Sequence, residues 1–211
     1  MDDGLEAARP LELADYRRRV AENYAAARHA GSGAGAWAAW REPRDLLIGT
    51  HPQSPLPMKH RSPGWHTPFF SHDPGWRFTA PLVASDDPVV LDLPHSSDGS
   101  TRFVEIGFVS FEHGGRSHTL SVFWLDGYSG GLFIPFTDAT AGATTYGAGR
   151  YLLDTAKGAD LGATDDGELI LDFNYAYHPS CAWDAAWSCP LAPPRNRLDV
   201  PVEAGELLPL G

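Results

Sequence analysis

Cysteine is scarce, with two among 211 residues, so a disulfide framework is excluded as the basis of the fold. Positive charge is also short: 16 Lys and Arg stand against 27 Asp and Glu, a formal net charge of −11. Such a surface repels a phosphate backbone on average, and no basic run overrides it. Nucleic acid and anionic membrane are therefore disfavoured as partners. Arg17, Arg18 and Arg19 are adjacent, but on a helix they point in different directions and read as solvated. No apolar run approaches the length of a membrane span, and the acidic start MDDGLEAARPLEL has no signal-peptide core. A soluble, cytoplasmic protein is expected. There is no internal repeat and no nucleotide or flavin motif, so no cofactor is assigned.

What is present suits a packed globule. Hydrophobic residues make up 43% of the chain and aromatics 11%. A chain of this length buries about 70% of its unfolded surface without staples. One domain over residues 1–211 is expected, in three parts: a helical part at 11–48, a proline-rich wrapping loop at 51–76, and a β-rich body at 77–211. The first dozen residues read as loose, with Pro10 opening a helix. Leu13, Tyr16, Val20, Tyr24 and Ala27 recur at helical spacing. Glycines at 31, 33 and 35 end that helix, and a second carries Trp37, Trp40, Arg44 and Leu47 on one face.

The body reads as a β-meander. Strands are expected at 102–112 and 119–125 around His113-Gly114-Gly115, at 132–136, and as a pair at 149–155 and 168–173. A last strand is expected at 197–202. The fold class is α+β and β-rich, a curled antiparallel sheet or partly open β-barrel, with the helices packed across an open edge or end.

Several blocks resemble one family. They are WREPRD at 40–45 with HPQSPL at 51–56, FTDAT at 136–140, TYGAGRYL at 145–152, DFN at 172–174 through NRL at 196–198, and AGE at 204–206. Together they are similar to the bacterial and archaeal family called domain of unknown function 1684, over about residues 13–208. The resemblance implies a single domain and carries no established activity. The stretch 65–74, WHTPFFSHDP, departs from the family pattern.

Segment 145–198 crowds polar groups, aromatics, both cysteines and paired prolines. Arg150 follows Gly147 and Gly149, beside Thr145 and Tyr146, and a guanidinium next to turn N–H groups suits a carboxylate or phosphate. The competing reading is a buried Arg150 bracing strands through Asp138 or Asp172. Asp172 and Asn174 share a strand face, and Asp172 or His178 is a candidate base if a hydrolase site exists. His178, Cys181 and Cys189 are weak metal candidates with no fourth ligand. Two buried thiols are favoured there, with a disulfide across seven residues as an alternative. Gly127-Tyr128-Ser129-Gly130-Gly131 fits G-x-S-x-G but sits in a hairpin turn rather than a strand-to-helix elbow.

The leading expectation is a module that binds a small anionic or polar organic ligand near Arg150. Tyr146, Thr145 and Asn174 would orient it, Tyr177 and Trp183 would cover it, and Ser54 and Arg41 would line the mouth. A hydrolase and a ligand-free structural or interaction protein are the alternatives, and the chain could form a homodimer. The ligand reading requires an open Arg150 whose removal spares stability. A sealed, fully paired Arg150 favours bracing.

Overall fold

The protein is described by a computed structural model over residues 3–208, with side chains from residue 9 onward. Two helices come first, α1 (Asp3–Ala30) and α2 (Ala34–Thr50). Residues 1 and 2 of the expected loose start lie outside the described part. The rest of it is already helix, so Pro10 lies inside α1 and does not open it. A proline-rich loop with two short 3-10 turns follows, as its composition requires.

Seven strands complete the regular structure: β1 (Arg77–Ala80), β2 (Val83–Pro94), β3 (Ser100–His113), β4 (Arg116–Leu125), β5 (Leu132–Phe136), β6 (Arg150–Asp154) and β7 (Leu169–Asp172). β2 to β6 form an antiparallel meander in chain order, and β1 pairs with β7 in a separate two-stranded sheet. β2 and β6 do not pair with each other, so the expected curled antiparallel sheet is present and does not close into a barrel. The β3–β4 turn uses Gly114 and Gly115 at φ 59° and 73°, a backbone that a side chain resists.

Two strand expectations are corrected. β6 pairs with β5, not with β7. Residues 197–202 are not a strand; they contribute one parallel bridge, Thr137 to Arg197, and two core side chains, Leu198 and Val202. β1 and β2 were unforeseen. β2 carries Asp86, Asp87, Pro88 and Pro94, which belong only on an edge, and an edge is where it lies.

The large sheet is buried on both faces at the C-terminal half of β4 and along β5 and β6, while β2 is largely exposed. Val109, Leu120, Val122, Ile134 and Phe136 meet the small sheet, Phe173 and the C-terminal Val202 and Ala204. Phe103, Phe123, Phe133 and Tyr151 meet Tyr24, Trp37 and Trp40 of the helices. The helices thus cover a face of the sheet, not its edge. Each fully buried aliphatic or aromatic side chain contributes about 1.5–3 kcal/mol, and the two-sided burial explains why β5, LFIPF, reads as a continuous apolar run.

Asn196 fastens the returning chain to this sheet. Its side chain accepts from Ser121 N at 2.9 Å and donates to Ser121 O at 2.9 Å and Pro135 O at 2.8 Å. Among the described residues no helix is long and apolar enough to cross a membrane.

Candidate functional site

A concave pocket of about 270 Å³ lies between α1 and segment 177–189. Leu13, Tyr16, Arg17 and Val20 form one wall, as residues three and four apart on a helix must. Tyr177, His178, Trp183, Trp187 and Cys189 form the opposite wall. Arg44, Gln53 and Lys157 also line the pocket, and none of the described lining residues is Asp or Glu. Arg17 is exposed at the mouth. Lys157 sits 3.1 Å from Asp154 with its side chain 44% exposed.

Glu206 anchors the floor from behind. Arg44 donates to Glu206 Oε1 from Nε at 2.9 Å and also from Nη2. The backbone N–H of His178 donates to Oε2 at 2.7 Å. Gly205, at φ 83°, lets the chain reach this position, since a Cβ there would stand 2.6 Å from Ala176 O. Arg44 is pinned yet keeps 10% side-chain exposure, and its guanidinium lies 5.2 Å from the Tyr177 ring centroid.

His178 is neutral. Burial, then the Arg150 and Arg44 charges, depress its pKa to about 3. Its Nε2 accepts from Tyr146 N at 3.1 Å, which assigns the ring proton to Nδ1. That Nδ1 has no hydrogen-bond partner and faces Glu206 Oε2 at 3.7 Å. A base whose free lone pair already accepts a backbone proton is not set up to take one from a substrate.

Arg150 does not line the pocket. Its Nη2 donates to Asp138 Oδ2 at 2.7 Å and to Val202 O at 2.9 Å, and its Nη1 donates to Ala204 O and to Glu206 O at 3.4 Å. The side chain is 0% exposed. This is the bracing arrangement: strand β6 staples the C-terminal segment that carries Glu206. The ligand-holding role expected for Arg150 is overturned, because the side chain is sealed from solvent and both Nη groups are taken by protein acceptors, with only the buried Nε left without a partner.

Other expected residues are scattered. Thr145 is buried, its hydroxyl 2.8 Å from that of Thr140. Tyr146 does not line the pocket; its backbone N–H donates to His178 Nε2 and its hydroxyl bonds the Cys181 thiol. Asn174 is buried against Asp73 and Asp172. Asp172 is buried too; burial raises its pKa while its bonds from Asn174 oppose that, and it lies away from His178's pocket beside Arg77 and Tyr175. Ser54 donates to Ile48 O and accepts from Leu56 N at 3.0 Å, closing the turn after α2. Arg41 borders a separate, wider depression of about 660 Å³ with Trp65 and His66. Of the ligand-binding candidates only Tyr177 and Trp183 line the pocket.

The metal candidates do not form a centre. Among the described residues no three His, Cys, Asp or Glu side chains are grouped to hold an ion. Cys181 and Cys189 are free and buried, as packing favours.

Tyr16, Arg17, Arg44 and Lys157 were not foreseen as site residues. The apolar stripe of α1 was legible, but it read as core. Arg17 lies one position beyond that stripe and read as solvent-facing. Lys157 gave no signal in sequence, since only the turn after β6 brings it to the pocket.

A family profile described as "Protein of unknown function (DUF1684)" matches residues 65–207. The WREPRD and HPQSPL blocks lie before that match. An uncharacterized protein of Haloarcula marismortui, solved by solution NMR, is 36% identical, with 81% of this chain and 91% of that chain covered and a TM-score of 0.59. No curated protein matches the chain. The chain belongs to the DUF1684 family.

Proposed function

We propose that this member of the DUF1684 family binds a small, flat organic ligand bearing an anionic or polar group, in the pocket between α1 and segment 177–189. The observation that carries this reading is the wall composition: Trp183, Trp187, Tyr16 and Tyr177 beside Arg17, Arg44 and Lys157, with no carboxylate among the described lining residues of a chain whose net charge is −11. Arg44 and Lys157 already have carboxylate partners, so the net attraction comes from Arg17, which has none among the described residues. Aromatic faces supply stacking area, and a few cationic groups at the mouth orient the charged end. The volume suits a ligand smaller than a dinucleotide.

Anilinonaphthalene sulfonate, an aromatic anion, is a direct probe. It should bind one site per chain with a rise in its fluorescence. Trp183→Ala and Arg17→Glu should each weaken that binding at least tenfold without lowering the melting temperature by more than a few degrees. Equal binding by the wild type and both variants rejects the pocket as the site.

A further inference from the structure

We propose that Cys181 and Cys189 are a redox modification site, a pair that hydrogen peroxide converts reversibly to a disulfide in the wall of the pocket. The two cysteines are eight residues apart, yet Cys181 N donates to Cys189 Sγ at 3.4 Å. The intervening chain doubles back through two turns, with Asp184 N bonded to Ser180 O at 3.2 Å and Trp187 N to Asp184 O at 3.1 Å. Both thiols are free, with residue exposures of 9% for Cys181 and 5% for Cys189. Small oxidants reach such positions more readily than bulky ones do. Cys189 also faces the pocket, and the loop between the cysteines carries Trp183 and Trp187.

The surroundings divide the roles. A hydrogen bond from the Cys189 thiol lowers the Cys181 pKa to about 6; burial opposes this, and the Ser96 and Tyr146 hydroxyls add to the lowering. That same hydrogen bond, with burial, pushes Cys189 up. Cys181 is therefore the thiolate and Cys189 the resolving thiol. The Cys181 thiolate attacks one peroxide oxygen; an S–O bond forms, the O–O bond breaks, and the departing hydroxide takes a proton to become water. The Cys189 sulfur then attacks the Cys181 sulfenic acid as it gives up its proton; the S–S bond forms, the S–O bond breaks, and a second water leaves. Two thiols are oxidised and one peroxide is reduced. A dithiol reductant reverses the bond.

Any effect of this bond on ligand entry rests on the pocket reading above; the bond itself does not. The test treats the purified full chain with hydrogen peroxide, quenches, denatures, alkylates with iodoacetamide and measures intact and peptide masses. The expected product has lost the mass of two hydrogen atoms, carries no alkyl group on either cysteine, and recovers both on dithiothreitol treatment. Cys189→Ser should leave a sulfenic acid on Cys181 that dimedone captures, whereas Cys181→Ser should leave Cys189 unlabelled. Alkylation of both cysteines after peroxide, or oxygen adducts without a crosslink, overturns the proposal. Dimedone capture at Cys189 in Cys181→Ser overturns the assignment of roles. None of these outcomes depends on whether anilinonaphthalene sulfonate binds, so failure here is distinguishable from failure of the pocket.

Discussion

Arg150 Nη2 and Asp138 Oδ2 meet at 2.7 Å with side chains 0% and 2% exposed, a sealed ion pair between strand β6 and the chain just beyond β5. Asp138 is further fixed by the Thr140 backbone N–H at 2.6 Å and hydroxyl at 2.5 Å. Arg150 in turn holds the carbonyls of Val202 and Ala204, and so the approach to Glu206. A pair so closed shapes the pocket from a distance, through the backbone it secures.

Arg150→Met should therefore lower unfolding free energy by about 3–5 kcal/mol, the usual cost of leaving one buried partner uncompensated. Denaturant unfolding measures this directly. Asp138→Asn should be less damaging, since an amide oxygen can still accept from the guanidinium. A melting temperature unchanged in Arg150→Met contradicts the stapling role.

His178 predicts a pH dependence of stability. Its folded pKa, about 3, lies below the ordinary value of 6.5. The unfolded chain therefore binds more protons than the folded one between those values. The contribution is fully present above about pH 6.5 and is lost as pH falls toward 3, at up to about 1.4 kcal/mol per pH unit. Denaturant unfolding at pH 7 and pH 5 should show a steeper loss for the wild type than for His178→Asn, which cannot take up that proton. Identical slopes in the two proteins would refute the buried neutral imidazole.

Asn196→Ala should destabilise by about 1–3 kcal/mol for each backbone group left unpaired, with Ser121 N and Pro135 O the exposed casualties. Asn196→Asp should be at least as harmful, because a carboxylate cannot donate to Ser121 O or Pro135 O. Hydrogen exchange at the Ser121 amide provides the local readout. Protection equal to wild type in the alanine variant would show that Asn196 is dispensable.

Much of the architecture was readable before the structure, and the reasons are local. Helical spacing of Leu13, Tyr16, Val20 and Tyr24 marks α1, and the glycines after Ala30 end it. The β3–β4 hairpin and β5 follow from turn glycines and apolar runs, whose signals lie within a few residues. β2 escaped because prolines and aspartates mask an edge strand. The pairing of β7 with β1, rather than with its neighbour β6, joins segments nearly a hundred residues apart, and no local pattern encodes that choice.

For the candidate site the division is sharper. Residue types alone marked segment 145–198 as a place of unusual construction, and composition alone disfavoured polyanionic partners. Whether Arg150 faced a ligand or a carboxylate was left open between two chemistries that the same residue serves equally well. The choice fell to long-range packing: the C-terminal carbonyls fold over β6 and, with Asp138, occupy both Nη groups of the guanidinium, while α1 and the turn after β6 carry Arg17 and Lys157 to the pocket. Burial and partner geometry are properties of distant segments brought together, and that is why no stretch of chain read by itself could assign them.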